Sequence, residues 1–326
     1  SPSITAGAVI SGAYFGDKMS PLSDTTNLAP AIAGTDLFTH IKHMLWTTGP
    51  SLVIALVMFL FIGLTTEISG NAQGLELIQT TLQNTFNISI VSFIPIIVIF
   101  ILAYNKVPAF PTILIGALLA GLFSAILQPQ IVKNFVDQPE LSTSLVMISG
   151  IWTALHSGFV LESGVEIVDD LLTRGGMASM LNTIWLVICA LTFGAVLETT
   201  NLLKKLVESV LSLANSTGSL IITTIATCIG VNIIAADQYI SIVLPGRMYR
   251  AEFARKKLAA RNLSRTLEDS GTITSPLIPW NTCGAYMSAS LGVATFSYLP
   301  FCFFNIVNPI IAIIYAIFNI KIVKNN

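Results

Sequence analysis

Charge is what this sequence has least of. Of its 326 residues only 10% are Asp, Glu, Lys or Arg, against 53% that are hydrophobic. The mean hydropathy is +0.78. A soluble domain carries about 25% charged residues, so the composition excludes a chain with a water-facing surface all round. Cysteine is scarce too: Cys189, Cys228, Cys283 and Cys302 lie among apolar or small residues with no CxxC spacing. They read as small buried hydrophobes, and neither a disulfide framework nor a zinc site is supported. There is no HExxH. An aspartate pair of the intramembrane-protease kind is also missing, with no tyrosine-aspartate motif and no proline-alanine-leucine. No enzyme is therefore expected. No basic face interleaved with aromatics is present, which argues against nucleic-acid binding.

What the chain does have is long apolar runs. They are far longer than the roughly ten-residue alternating segments of a membrane barrel, so the class is all-α and polytopic. The spanning candidates are Pro50–Thr66, Ile88–Tyr104 with Pro95 as a kink, Val107–Leu127, Asn182–Leu197, the interrupted run Ser219–Leu244, and Ala294–Phe318. Lys106 marks an end, and Glu67–Gln83 and Pro129–Leu141 read as polar connections. Residues 36–43 look interfacial, with His40, His43 and Trp46 near the membrane–water boundary. The two histidines read as surface residues, because no third metal ligand is nearby. His156 and Glu162 are candidates for a proton relay, with a buried hydrogen-bonded pair or a plain loop as alternatives, and Glu198 for a helix-end carboxylate or gate. The stretch 247–269 carries Arg247, Arg250, Arg255, Lys256, Lys257, Arg261 and Arg265 against Glu252, Glu268 and Asp269. By the positive-inside bias it is predicted to be a cytoplasmic basic loop.

One stretch breaks the apolar pattern. From Gly16 to Asn27 two aspartates, a lysine, two serines, two threonines and an asparagine crowd around Pro21. Proline removes a backbone donor and clashes with the preceding turn, so a helix entering from Ile10 should stop near Met19–Ser20. Freed carbonyls and neighbouring hydroxyls then become oxygen ligands for a hard cation. A carboxylate at bilayer depth costs roughly 2.5–3.5 kcal/mol or more, so two in one broken segment point to function. Asp237, in the middle of the run Ser219–Leu244, carries the same signal, with helix capping as a compatible second role.

The break recurs. Gly16-Asp17-Lys18-Met19-Ser20-Pro21-Leu22 lines up without gaps on Gly271-Thr272-Ile273-Thr274-Ser275-Pro276-Leu277, repeating glycine, serine, proline and leucine. Paired broken segments in two halves are the best sequence pointer to a secondary transporter site. They predict two inverted repeats with broken or re-entrant helices inside one transporter domain spanning 1–326. The breaks are expected near 16–27 and 271–282. The candidate cation- and proton-binding residues are Asp17, Ser20, Asp24, Thr25, Thr26, Asn27, Asp237, Thr272, Ser275, Asn281 and Thr282. Sodium suits such an oxygen-only set. Two nearby carboxylates repel, which raises the proton affinity of one, so such a site holds either a cation or protons.

At these residues the chain resembles the NhaC family of sodium/proton antiporters, within the broader ion transporter superfamily. The resemblance rests on Gly16 to Asn27 and its flanks, on Ala236-Asp237-Gln238-Tyr239 and on Leu244-Pro245-Gly246-Arg247. Leu267-Glu268-Asp269-Ser270-Gly271-Thr272 and Pro279-Trp280-Asn281-Thr282-Cys283-Gly284 complete it. It implies exchange of sodium for protons across the cytoplasmic membrane by alternating access, with no cofactor beyond the transported ions. The family also includes exchangers of malate with protons for lactate with sodium, so a small dicarboxylate stays open as cargo. Lys18 or Arg247 could face such an anion, or serve as ion-pair or interface residues. A homodimer is compatible with the resemblance. Members are longer at the N-terminus. Ser1 is not an initiator methionine, so the opening helices of the first repeat are expected upstream.

Overall fold

A computed structural model describes residues 1–21, 23–65, 72–105, 107–138, 140–212 and 214–325. Leu22 of the first break, the start of the Glu67–Gln83 connection, Lys106, and Pro139 in the second polar link lie outside the described residues. The chain divides into two units, Ser1–Thr66 with Thr183–Asn326, and Glu67–Asn182.

The first unit opens with α1 (Pro2–Met19), a break, α2 (Asp24–Ala33) and the 29-residue α3 (Leu37–Thr65). The expected stop before Pro21 is there: α1 ends at Met19 and Ser20 is extended, with φ −83° and ψ 125°. Helix α1 runs continuously through Gly7, Gly12 and Gly16. Gly7 has a packing reason, because a Cβ there would lie 2.6 Å from the Phe301 backbone. Residues 37–43, expected near the interface, form the first turns of α3. Pro50 sits inside that helix.

The second unit holds α4 (Ala72–Thr85), α5 (Ile94–Tyr104), α6 (Ala109–Leu127), α7 (Pro129–Val136) and α8 (Thr143–His156). A two-residue antiparallel pairing, β1 (Gly158–Phe159) with β2 (Arg174–Gly175), brackets α9 (Glu166–Leu172). Pro95 does not kink a span here. It occupies the first turn of α5, where its missing N–H has no partner to lose.

Helix α10 (Leu181–Thr199) leads to α11 (Leu202–Leu211), α12 (Thr217–Ile234), α13 (Gln238–Arg255) and α14 (Ala260–Leu267). A π turn, Glu268–Thr272, follows α14 directly, then a 3₁₀ turn, Ser275–Leu277. The unit closes with α15 (Thr282–Leu291), α16 (Thr295–Tyr298) and α17 (Phe303–Ile317).

The stretch 247–269 is thus not a loop. Its first part ends α13, and its second forms α14 and enters the π turn. Arg265, Glu268 and Asp269 are buried there. Where a cytoplasmic basic loop is predicted, the helix turns one charged face inward onto partners from other segments.

Among the described residues four helices are long and apolar enough to cross a membrane, and six if each sharply bent pair counts as one span. With its apolar composition, the chain is a multi-pass, all-α membrane protein. Val53, Leu56, Val57, Leu60 and Leu64 line an exposed face of α3, as lipid contact requires. Lipid tails are as apolar as leucine, so packing and polar contacts must hold the helices together. Small residues serve this: Ala29, Ala33, Ala235, Ala312 and Ala316 are buried in the core around α12 and α13.

The two breaks share a plan. Each is followed by a ten-residue helix ending at a left-handed glycine, Gly34 (φ 86°) after α2 and Gly292 (φ 65°) after α15. Helices α3 and α17, downstream of the two breaks, each carry an internal proline, Pro50 and Pro309.

Candidate ion-binding site

A helix break in a bilayer must find partners for its orphaned backbone groups. At the first break Thr26 Oγ1 donates to the carbonyls of Asp17 and Lys18, at 3.0 and 3.1 Å. Asn27 Nδ2 donates to those of Pro21 and Ser23, at 2.8 and 2.7 Å. At the second, Asn232 Nδ2 reaches the Gly271 carbonyl at 2.6 Å, Asn305 Nδ2 that of Ile273 at 2.9 Å, and Tyr298 Oη that of Pro276 at 2.8 Å. Side-chain donors therefore already serve the carbonyls that the sequence offered as cation ligands. Side-chain oxygens are the stronger candidates.

Around the first break, Asp17 is half-buried and faces Ser23 and Thr25, with Asp24 close by. Thr25 and Thr26 are buried, and Ser20 is half-buried. Asp24 and Asn27 are exposed. Asp24 lies in the first turn of α2, where the helix dipole favours a negative charge, and it accepts from Tyr239 Oη at 3.4 Å. Thr25 Oγ1 pairs with Ser23 Oγ at 3.2 Å.

Asp237 is buried and caps α13, its Oδ1 accepting from Ile240 N at 2.8 Å. The backbone just before it is turned by Ala236 at φ 57°. The Ala236 carbonyl accepts from Thr282 N at 3.0 Å, which fastens the α12–α13 break to the start of α15. Asn281 caps α15 through Cys283 N at 3.0 Å and donates to Asn232 Oδ1 at 3.1 Å. Ser275 Oγ lies 3.4 Å from Tyr14 Oη of α1, so the two breaks meet side by side. Thr272 is buried on the π turn with no hydrogen bond to its hydroxyl. Asp17 with Asp24 and the second-break residues with Asp237 are thus brought to one region of the first unit.

The structure adds residues that sequence reasoning placed elsewhere. Lys18, at 0% exposure, forms an ion pair with Asp269, also at 0%. Lys18 Nζ also donates to Asn308 Oδ1 at 2.6 Å, and Thr47 Oγ1 donates to Asp269 Oδ1 at 2.9 Å. Asn308 Nδ2 continues to Ser51 Oγ at 3.1 Å. Arg265 Nε stands 3.9 Å from the other Asp269 oxygen. Lys18 therefore faces a carboxylate of its own chain. The sequence signal for the pair is Leu267 to Thr272, whose two acids local charge patterning groups with the basic stretch beside them. His40 and His43, read as surface residues, are buried, and His40 Nδ1 lies 2.8 Å from Ser264 Oγ of α14. Packing of α3 on α14 covers them. His156, Glu162 and Glu198 are exposed. The His156 ring contacts Ser157 Oγ at 2.9 Å. No group of three or more His, Cys, Asp or Glu residues is arranged around a metal position among the described residues. The oxygens on offer are those of single carboxylates, hydroxyls and amides, which suit a hard monovalent ion better than zinc.

A family model for the Na+/H+ antiporter family matches residues 12–320. The chain belongs to that family. It is 40% identical over 323 residues to the Na(+)/H(+) antiporter NhaC of Alkalihalophilus pseudofirmus, covering 99% of this chain and 66% of that protein. It is 36% identical to the NhaC of Bacillus subtilis, over 95% of this chain and 65% of that protein. The malate-2H(+)/Na(+)-lactate antiporter of Bacillus subtilis is 34% identical, over 96% and 64%. The chain therefore spans 64 to 66% of the length of these relatives. No solved structure matches it.

Proposed function

We propose that the protein is a secondary active antiporter that exchanges sodium for protons across the cytoplasmic membrane by alternating access. The carrying observation is the meeting of two proline-marked helix breaks, with Asp17, Asp24 and Asp237 around them, in a chain of the Na+/H+ antiporter family. Helix-break sites of this kind bind ions where two repeats meet, and rocking of one repeat on the other alternates access. The shared plan of break, ten-residue helix, left-handed glycine and proline-bearing helix supports assigning the repeats, in inverted orientation, to the two ends of the chain. Asp17, Asp24 and Asp237 supply the negative charge. Neutral oxygens come from Ser20, Thr25, Thr26, Asn27, Thr272, Ser275, Asn281 and Thr282. Two carboxylates that cannot both stay charged at close range hold either sodium or a proton, which is what couples the fluxes.

A second reading keeps the site and changes the cargo. The malate/lactate relative, at 34% identity, favours it. Proteoliposomes with an internal pH dye decide between the two. Sodium-driven proton movement without any organic acid is the expected result, and an absolute requirement for malate would overturn it.

A further inference from the structure

Glu268 is a buried acid that the site described so far leaves unused. It sits in the π turn at 0% exposure. Neither of its oxygens has a hydrogen-bond partner, and the hydroxyl of Thr272, one turn on, has none either. The two side chains lie side by side, close enough for the Thr272 hydroxyl to act on the carboxylate. Buried polar groups are almost always paired, and an uncompensated buried carboxylate is among the most costly groups a fold can hold. π turns occur often at functional sites, because the extra residue re-aims side chains.

The neighbouring charges relieve Glu268 only in part. Lys18 is within electrostatic range, but two of its three N–H donors go to Asp269 and Asn308. Arg265 stands beside Asp269 and donates from Nη1 to the Lys321 carbonyl at 3.1 Å. Asp17, within electrostatic range of Glu268, adds a like charge. The two cations Lys18 and Arg265 thus face three acids, Asp17, Glu268 and Asp269, leaving one negative charge over. Depth is graded as well: Asp24 is exposed, Asp17 half-buried and Glu268 fully buried.

We propose that Glu268, with Thr272 Oγ1 beside it, forms an inner coordination site for a hard monovalent cation, reached past Asp17. The cation cancels the one excess negative charge and gives three unpartnered oxygens their ligand. This rests on the sodium-exchange reading above and adds the acid that completes it.

The test is equilibrium binding of radioactive sodium to the purified full chain in detergent. It is paired with the sodium-dependent rise in unfolding temperature, using potassium at equal ionic strength as control. The wild type should bind saturably. Glu268→Gln should raise the half-saturating sodium concentration by about tenfold or more, since charge count among the ligands sets affinity. Thr272→Val should weaken binding severalfold and Thr272→Ser should retain it. The threonine pair keeps the test decisive should Glu268→Gln fail to fold. Wild-type sodium affinity in Glu268→Gln, or in Thr272→Val where Glu268→Gln does not fold, or no sodium binding by the wild type, overturns the inference. If the wild type exchanges sodium for protons while Glu268→Gln keeps its affinity, this site is wrong and the exchange reading stands. If sodium binds through Glu268 but no exchange occurs, the reverse holds.

Discussion

Removing one partner from the buried Lys18–Asp269 pair should be far more damaging than removing both. The pair joins the last turn of α1 to the π turn after α14, and both side chains are fully excluded from solvent. Stranding one charge of a buried pair costs about 3–5 kcal/mol, whereas replacing both by neutral groups is often nearly free. Lys18→Met leaves Asp269 with the Thr47 hydroxyl and with Arg265 Nε at 3.9 Å, and leaves Glu268 without the lysine in its electrostatic range. Asp269→Asn leaves Lys18 with Asn308 Oδ1 as an acceptor and with Glu268 in electrostatic range. Each single variant should therefore cost about 3–5 kcal/mol. The double variant Lys18→Met/Asp269→Asn should cost only about 1–2 kcal/mol, mainly for the donor lost to Asn308 and the weaker bond from Thr47. The assay is chemical unfolding in mixed micelles, read as a double-mutant cycle. Single variants costing under about 1 kcal/mol, or a double variant equal to the sum of the singles, would refute the reasoning.

Asp237 separates capping from charge. Asparagine caps a helix about as well as aspartate and alanine does not, so Asp237→Ala should lose about 0.5–2 kcal/mol while Asp237→Asn keeps its unfolding midpoint. If the charge takes part in exchange, Asp237→Asn still shifts the pH profile of proton flux in vesicles, and an unchanged profile removes Asp237 from the site. Asp169, in the second unit and outside the spanning helices, tests pH dependence by a different route. The Ser163 hydroxyl, then the Ser163 and Gly164 N–H groups, hold its carboxyl below the usual carboxylate range. A depressed native value stabilises above the unfolded value, near about 3.9, and that contribution is lost as pH falls through the native one. Amide exchange at Ser163 and Gly164 should therefore be slow at neutral pH in the wild type and faster in Asp169→Asn; equal protection in both contradicts the assignment.

Much of the architecture could be read in the sequence because it rests on local rules. Proline before a hydroxyl-rich run stops α1 where steric clash requires, and the Gly-x-x-x-Ser-Pro-Leu spacing marks two breaks whose following helices have the same length. Long apolar runs identify spans without tertiary information. The failures lie where partners are distant in sequence. Glu268 and Asp269 follow seven basic residues, and local charge patterning groups them with those residues. Only the packing of α1, α3 and α17 around the π turn shows that Asp269 belongs to Lys18, 251 positions away. His40 and His43 were misjudged for the same reason, since α14, which covers them, follows more than two hundred residues later.

The distribution of charge around the breaks also explains why the first break is not the whole site. Thr26 and Asn27, the most ligand-like neutral residues there, spend their donors on carbonyls that Pro21 releases. Lys18 follows Asp17 in the sequence, but its ammonium group is drawn away to Asp269. Asp17 is therefore left facing Ser23 and Thr25, within electrostatic range of Glu268. A chain with a formal net charge of −1 can look balanced while its interior is not. Pairing Lys18 with the second break ties the two breaks together and leaves one negative charge in excess among Asp17, Glu268 and Asp269. In the proposed exchanger a single positive charge satisfies that arrangement and two would overfill it, so sodium and a proton would compete there rather than bind together.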